Sequence, residues 1–285
     1  MQVFVEYYYL RGNMNGVSTQ DVKLLSPSGA SASALLLTAL GEFFASHHDF
    51  CFASDLVEVL ATVGIEEKSA RQAIFRAIKD GYMISTRVGR RSQLMLTERA
   101  LNLLEVGRER IFSFQSRSLS DRWLIVAHPN LSIERQSRRR LMIALRFYGL
   151  VSPYSGLFVG TNPHFCEIVM DIFAEYAPDS QVIVATVSPD EVVGISDMVM
   201  EMIDLDVLEK SYGAFIDYFT TLSEADQYVG QILSLVHEWR HFAIEDIELF
   251  DSLLPIDWIG RRGKELFDSL YNKWRPLCPE FTSFR

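Results

Sequence analysis

The chain has 285 residues, 48% apolar and 22% charged, with a formal net charge of −10, enough for a buried core and, by length, two domains. No run reaches the ~20 apolar residues of a membrane-spanning helix, and the acidic total excludes a general polyanion coat. The charge is uneven: Lys68 to Arg140 holds sixteen Lys and Arg against six Asp and Glu, and the remainder eleven against thirty-one. A basic third inside an acidic chain is the footprint of a site-specific nucleic-acid binder whose affinity falls steeply with salt. Cys51, Cys166 and Cys278 are odd in number, far apart and without zinc spacing, so they are expected reduced and buried. The opening Met-Gln-Val-Phe-Val-Glu-Tyr-Tyr-Tyr lacks the basic stretch and cleavage site of a secretory leader, so a cytoplasmic protein is expected.

Residues 1–30 read as an N-terminal extension, with a loose middle at Arg11–Ser18 and a break at Ser26-Pro-Ser-Gly29. Residues 31–114 read as a winged helix-turn-helix DNA-binding domain. Ala34–Phe44 is apolar on a helical period and forms its first helix. Ser54 is a candidate N-cap for a second helix to Ala61, and Gly64 breaks the chain before a third. In that third helix Lys68, Arg71, Gln72, Arg76 and Lys79 share one arc at 100° per residue, and Ala70, Ala73, Ile74, Ala77 and Ile78 share the other. Phe75 sits beside the basic arc and belongs either under a neighbouring element or against DNA.

The chemistry follows from donor geometry. Arg offers two donors to guanine in the major groove, Gln matches adenine, and Lys and Ser69 suit phosphates. Gly81 closes the helix, and Tyr82–Arg87 and Gln93–Thr97 alternate as two strands around a turn at Val88–Ser92 that carries Arg90 and Arg91. A solvated charged face beside an Arg-rich loop is the bland alternative. The succession of helix, Gly stop, strand, basic turn and strand favours DNA. Thr97 caps a further helix to about Phe114, whose Arg99, Arg108 and Arg110 are candidates to skirt DNA.

The Ser-rich stretch at 115–121 reads as a linker. Residues 122–203 then read as a ferredoxin-like α/β domain. Its strands are Trp123–Pro129, Gly156–Gly160 and Gln181–Val187, with an edge strand near Gly149–Ser152 and helices at Ser132–Tyr148 and His164–Tyr176. Arg138, Arg139 and Arg140 are candidates to touch DNA, but they are adjacent and point three ways on a helix, so at least two are expected on a solvated face. Residues 204–285 read as an α-helical effector and dimerisation domain with helices at Leu205–Leu222, Ala225–Ile244 and Gly263–Trp274.

His237-Glu238-Trp-Arg-His241 matches the H-E-x-x-H spacing of zinc hydrolases, in which two imidazoles hold the metal and the Glu activates water; Glu265 is the candidate third ligand. The chain has no obvious substrate-binding edge strand beside this helix, no P-loop, no Gly-rich dinucleotide turn, no nucleophile elbow and no paired Cys site. The bland reading makes one His a core or pocket residue and leaves Glu238 solvated, so a non-enzyme without cofactor or bound metal is the expectation, with a zinc hydrolase as the alternative.

Two separated blocks carry a family resemblance. The first is Ser69-Ala-Arg71-Gln-Ala-Ile-Phe75-Arg76-Ala-Ile-Lys79-Asp-Gly81-Tyr with Gly89-Arg-Arg-Ser92 and Leu96-Thr97. The second is His237-x-Trp-Arg240-His-Phe, Leu253-Leu-Pro-x-Asp-Trp258-x-Gly260 and the helix through Leu266-Phe and Tyr271. From about residue 31 onward the chain resembles the PaaX-type transcriptional repressors, which control bacterial phenylacetic-acid catabolism. The resemblance implies a winged helix, a ferredoxin-like middle domain and a helical C-terminal domain. It also implies a homodimer on a palindromic operator, released by an aryl-acyl-CoA such as phenylacetyl-CoA. The family pattern keeps the His and Arg of the H-E-x-x-H stretch, without Glu238 and His241 as hallmarks. The middle domain also resembles a small CRISPR-associated nuclease, but its first strand ends in Ala127-His128 where that nuclease needs a carboxylate, so nuclease activity is not implied. Asp49-Phe-Cys-Phe52 departs from a Trp-containing family segment. An aryl-acyl-CoA calls for an aromatic pocket with a few polar groups and cations for its phosphates, and Tyr212, Phe215, His237, Trp239, Arg240 and Trp258 are the candidates, each of which reads at least as well as core of a helical bundle.

Overall fold

The computed structural model describes residues 31–45, 50–113, 122–128, 133–222, 227–246 and 248–279. The expected extension at 1–30 and linker at 115–121 lie outside them. The fold is mixed α+β with a helical C-terminal region. The chain divides into two compact units, one drawn from Met1–Phe112, Gly213–Arg240 and Arg262–Arg285, the other from Ser113–Tyr212 and His241–Arg261.

In the first unit, Ser31 accepts the Ala34 N–H on Oγ at 3.3 Å and starts helix α1 (Ala32–Phe43). Strand β1 (Phe50–Phe52) leads into α2 (Ala53–Ala61) and α3 (Glu67–Lys79). Leu35, Leu36, Leu40, Leu56, Leu60 and Ile74 are buried where these helices meet, each large side chain contributing about 1.5–3 kcal/mol. Ser54 does not cap α2: the N-cap residue is Phe52, two positions earlier, and the carboxylate of Asp55 takes the Phe52 N–H at 3.1 Å. That carboxylate satisfies the N–H ahead of the first turn, and Ser54, now inside the turn, donates its hydroxyl proton to Asp55 Oδ1 at 3.1 Å.

Gly81, at φ 78°, turns the chain into strands β2 (Met83–Val88) and β3 (Arg91–Leu96). They pair from Met83↔Leu96 to Val88↔Arg91, so the turn is only Gly89-Arg90, with Gly89 at φ 61°. A two-residue hairpin loop demands positive φ, and Gly89 supplies it. β1 joins β3 to give the antiparallel order β1-β3-β2, a third strand the sequence reading lacked. Thr97 accepts the Ala100 N–H at 3.3 Å and caps α4 (Glu98–Ser113) as expected.

The second unit holds β4 (Trp123–Ala127), α5 (Arg135–Phe147), β5 (Val151–Tyr154), β6 (Leu157–Gly160), α6 (Cys166–Tyr176), β7 (Ile183–Val187) and α7 (Ile195–Met200). Its sheet order is β5-β6-β4-β7 and every pair is antiparallel. Alternation along β4 sends Leu124 and Val126 to one face, under Leu141 and Leu145 of α5 and Val169 and Phe173 of α6. Trp123 goes to the other face, with Val199 and Phe250. α6 starts two residues later than expected because Pro163–Phe165 form a 3₁₀ turn capped by Asn162.

The C-terminal helices are α8 (Leu205–Thr221), α9 (Tyr228–Glu245) and α10 (Ile259–Trp274), the last beginning four residues before the expected start. Within the first unit, a Cβ on Gly230 of α9 would sit 2.9 Å from the carbonyl oxygen of Thr62, so only glycine lets the backbones approach this closely. The three cysteines are free; Cys51 and Cys278 are buried as expected, but Cys166 is only half-buried. Among the described residues no helix is long and apolar enough to cross a membrane.

Candidate nucleic-acid interface

α3 holds its place through buried Ala70, Ala73 and Ile74, and this leaves Lys68, Arg71, Gln72, Phe75, Arg76 and Lys79 exposed on one side, with Ser69 half-buried. An open depression follows that side along Glu67, Lys68, Arg71, Gln72, Phe75 and Arg76. Glu67 in the first turn and Arg76 and Lys79 in the last complement the helix dipole. Phe75 is 67% exposed, so its ring lies beneath no neighbouring element.

Arg71 Nε donates to Glu67 Oε1 at 2.7 Å, one turn away, with both side chains more than half exposed. Such a pair is worth less than about 1 kcal/mol, so little holds Arg71 back from an incoming base or phosphate. Arg76 Nη2 donates to Ser33 Oγ at 3.0 Å, tying the end of α3 to the start of α1. The side chains of Lys68, Gln72 and Lys79 make no hydrogen bond or ion pair among the described residues.

The hairpin separates two arginines that the sequence reading put together. Arg90 stands exposed in the turn. Arg91 opens β3 and is anchored: its guanidinium lies 3.5 Å from the Phe52 ring centroid and donates to Asp55 Oδ1 at 3.1 Å and Ser54 Oγ at 3.2 Å. The tight turn is the reason, since it draws Arg91 into the ladder and beside α2. Arg87 is exposed on β2 and donates to the Gly89 carbonyl at 3.2 Å; its place two residues before the turn glycine was the signal by which it could have been added to the set.

On α4 the expected DNA-skirting arginines resolve differently. Arg110 is 5% exposed and is removed from that set. Arg108 lies 3.7 Å from Glu42 and over the ring of Phe112, and the Arg99 side chain lies outside the described residues. Glu42 is a buried carboxylate on α1 that no sequence signal flagged. It accepts from Tyr271 Oη at 2.9 Å and faces Arg275 Nε at 3.9 Å. Burial raises its pKa above the usual glutamate range, partly offset by Arg108, the Tyr271 hydrogen bond and Arg275. Burial, with Glu42 beside it, pushes the Tyr271 hydroxyl up to about 12.

The six candidate effector residues are all buried, none more than 4% exposed. Phe215, His237, Trp239 and Arg240 belong to the first unit, Tyr212 and Trp258 to the second. Trp239 stacks on Phe267 at 4.9 Å and donates Nε1–H to the Ile111 carbonyl at 3.2 Å. His237 Nδ1 lies 3.2 Å from both Thr38 Oγ1 and Arg240 Nη2. A guanidinium only donates, so Nδ1 accepts and the ring proton sits on Nε2. Tyr212 stacks on Phe242 at 4.1 Å and donates its hydroxyl proton to Asp246 Oδ2 at 2.8 Å. Trp258 meets the Tyr212 ring edge-on at 5.9 Å, and its Nε1–H has no hydrogen-bond partner among the described residues.

The zinc motif gains no support. A cationic guanidinium against Nδ1 of His237 opposes a metal there, and Glu265 points into solvent. Among the described residues no three His, Cys, Asp or Glu side chains gather as a ligand set.

Similarity to known proteins agrees with both ends of the chain. Residues 31–100 match the family described as PaaX-like protein, and residues 203–283 match the PaaX-like protein C-terminal domain. Over 265 residues the chain is 21% identical to the Transcriptional repressor PaaX of Escherichia coli strain K12, covering 89% of this chain and 83% of that protein. A solved structure of an uncharacterized protein from Mycobacterium tuberculosis superposes with a TM-score of 0.57 at 18% identity, over 87% of this chain and 96% of that one. At that identity the likeness speaks for the fold alone.

Proposed function

The chain belongs to the PaaX-like family, and from that premise we propose that it is a DNA-binding transcriptional repressor of an aromatic-acid catabolic operon, with no enzymatic step. The observation that carries this reading is the exposed, donor-rich side of α3, held rigidly by its apolar side and followed at once by a tight basic hairpin. In this reading α1 to α3 with β1 to β3 form a winged helix-turn-helix, and α3 enters the major groove. Arg71, Gln72 and Arg76 address base edges, while Lys68, Ser69, Lys79 and Arg90 hold phosphates. Arg91 serves first to fix the wing against α2. The antiparallel β5-β6-β4-β7 sheet with α5 and α6 on one face supports reading the middle of the chain as a ferredoxin-like sandwich.

The protein acts as a homodimer on a palindromic operator, with half-sites about 34 Å, one helical turn, apart or a multiple of it. An aryl-acyl-CoA such as phenylacetyl-CoA releases it by binding more tightly to a form whose two α3 helices no longer match that spacing. The Trp258 Nε1–H, without a partner among the described residues, is a donor that a ligand oxygen could use. Phe215, His237, Trp239 and Arg240 in the first unit and Tyr212 and Trp258 in the second are all buried, so a ligand that reaches either group has to open the packing within that unit. A nuclease footprint on the DNA upstream of the protein's own gene tests both levels. A protected palindrome that is lost on adding phenylacetyl-CoA is the expected result. Protection that persists discards the effector and keeps the repressor. No protection at low salt contradicts the repressor.

A further inference from the structure

α5 carries an unbalanced charge. Its 13 residues, Arg-Gln-Ser-Arg-Arg-Arg-Leu-Met-Ile-Ala-Leu-Arg-Phe, include five arginines and no acid. The unit around it is acidic: Ser113–Tyr212 and His241–Arg261 together hold nine Lys and Arg against eighteen Asp and Glu, and α5 supplies five of the nine. At 100° per residue, Arg135, Arg138, Arg139 and Arg146 fall within an arc of about 100° and run along about 16 Å of helix. All four are exposed, while Leu141, Ala144 and Leu145 turn into the sheet core. The pairs Arg135–Arg138 and Arg135–Arg139 set like charges one turn apart, which weakens a helix. A face that serves only solubility would intersperse glutamates.

Two anionic occupants fit this stripe, and size decides between them. Beside it α6 exposes Glu167, Asp171 and Glu175 one turn apart, so a second copy related by a two-fold axis could set α5 on α6. Two helices each about 16 Å long and 10 Å wide offer only about 300 Å² per partner. A stable interface needs roughly 800 Å² per partner with an apolar centre, and this face is charged throughout. Phosphates need no such area, since duplex DNA presents a charge every ~1.7 Å.

We propose that Arg135, Arg138, Arg139 and Arg146 form a second DNA-contacting surface that grips phosphates without reading bases. The inference rests on the DNA-binding reading above and adds a sequence-independent share of the affinity from a part of the chain outside the helix-turn-helix. Arg139 has a partner within the chain, and in this proposal its exposed side chain adds a phosphate contact alongside that one.

The test uses the full chain with all four positions changed, Arg135→Gln, Arg138→Gln, Arg139→Gln and Arg146→Gln, because Gln keeps helix propensity and loses only charge. Fluorescence anisotropy on a mixed-sequence duplex of about 40 base pairs, titrated from about 50 to about 200 mM salt, reads the number of phosphates neutralised. The slope of log affinity against log salt is expected to fall by about 3–4. The roughly 100-fold share of the parent's salt-induced affinity loss owed to these four contacts should vanish with it. The matching Lys variant keeps the charge and is expected to keep the slope; its failure would show that geometry, not phosphate charge, is at stake and would overturn the proposal. An unchanged slope in the Gln variant, with the parent binding normally, overturns it as well. Conversion of a parent dimer to monomer in sedimentation, with the slope intact, assigns the stripe to a second copy instead and also overturns it. A parent chain that binds no duplex even at low salt is a different failure, that of the DNA-binding reading itself.

Discussion

Helix α3 leaves Lys68, Arg71, Gln72, Arg76 and Lys79 in solvent along one side, whereas α9 buries His237, Glu238 and Arg240 around Trp239. Both segments are rich in residues that sequence motifs treat as functional. On α3 the polar groups are mostly unengaged or held by weak exposed pairs, and so are available to a partner. On α9 they are enclosed, with His237 set between Thr38 and Arg240. A buried polar group has to be satisfied inside the fold, so its first role is structural, and it becomes a ligand contact only if the packing opens.

The largest effect that would sharpen this contrast belongs to Trp239→Ala. It removes the stack on Phe267 and the hydrogen bond to Ile111, and is expected to lower stability by about 3–5 kcal/mol in denaturant unfolding. A small loss would mean that α9 is not the core element described. Next comes Gly230→Ala, whose new methyl would meet the Thr62 carbonyl at 2.9 Å. A loss of about 1–3 kcal/mol, read as a lower melting temperature, is expected.

Glu42→Gln probes the buried acid on α1 through pH. Its folded-state pKa is raised, so the associated stability is fully present below the ordinary glutamate range and is lost as pH rises through the elevated native value. The Gln variant should lack that decline, and unfolding curves across acid and neutral pH would show parent and variant diverging if this is right. Parallel curves would break the assignment. The smallest effect is expected of Arg91→Ala, at most about 1 kcal/mol, since its ion pair and ring contact are half exposed. A larger loss would place Arg91 among the core residues rather than on the wing.

Much of this was legible in the chain. The arc of Lys68, Arg71, Gln72, Arg76 and Lys79 survives intact because amphipathic periodicity reports directly on which side is buried. The order of strands and helices from Trp123 to Val187 was also readable, since buried strands stand out as short apolar runs between turn residues. β1 was missed because Phe50–Phe52 is too short to show alternation and exists by pairing with β3. The hairpin was read two residues too loose at its second strand because polar Arg91 and Ser92 resemble loop, and only the Val88↔Arg91 pairing shows otherwise. The aromatic cluster at the C-terminal end was invisible as core or pocket, because composition names the residues but not the space between them. Its polar members, like Glu42, carry no local signal of burial, which depends on helices distant in sequence.

The central claim is that the exposed side of α3 binds DNA, and the double change Arg71→Ala with Arg76→Ala in the full chain tests it most directly. Operator affinity and melting temperature should be measured on the same preparation. The account predicts that specific binding falls at least about 100-fold, as losing two base-reading arginines implies, while stability stays within about 0.5 kcal/mol of the parent. A variant that still protects the operator as the parent does would contradict it.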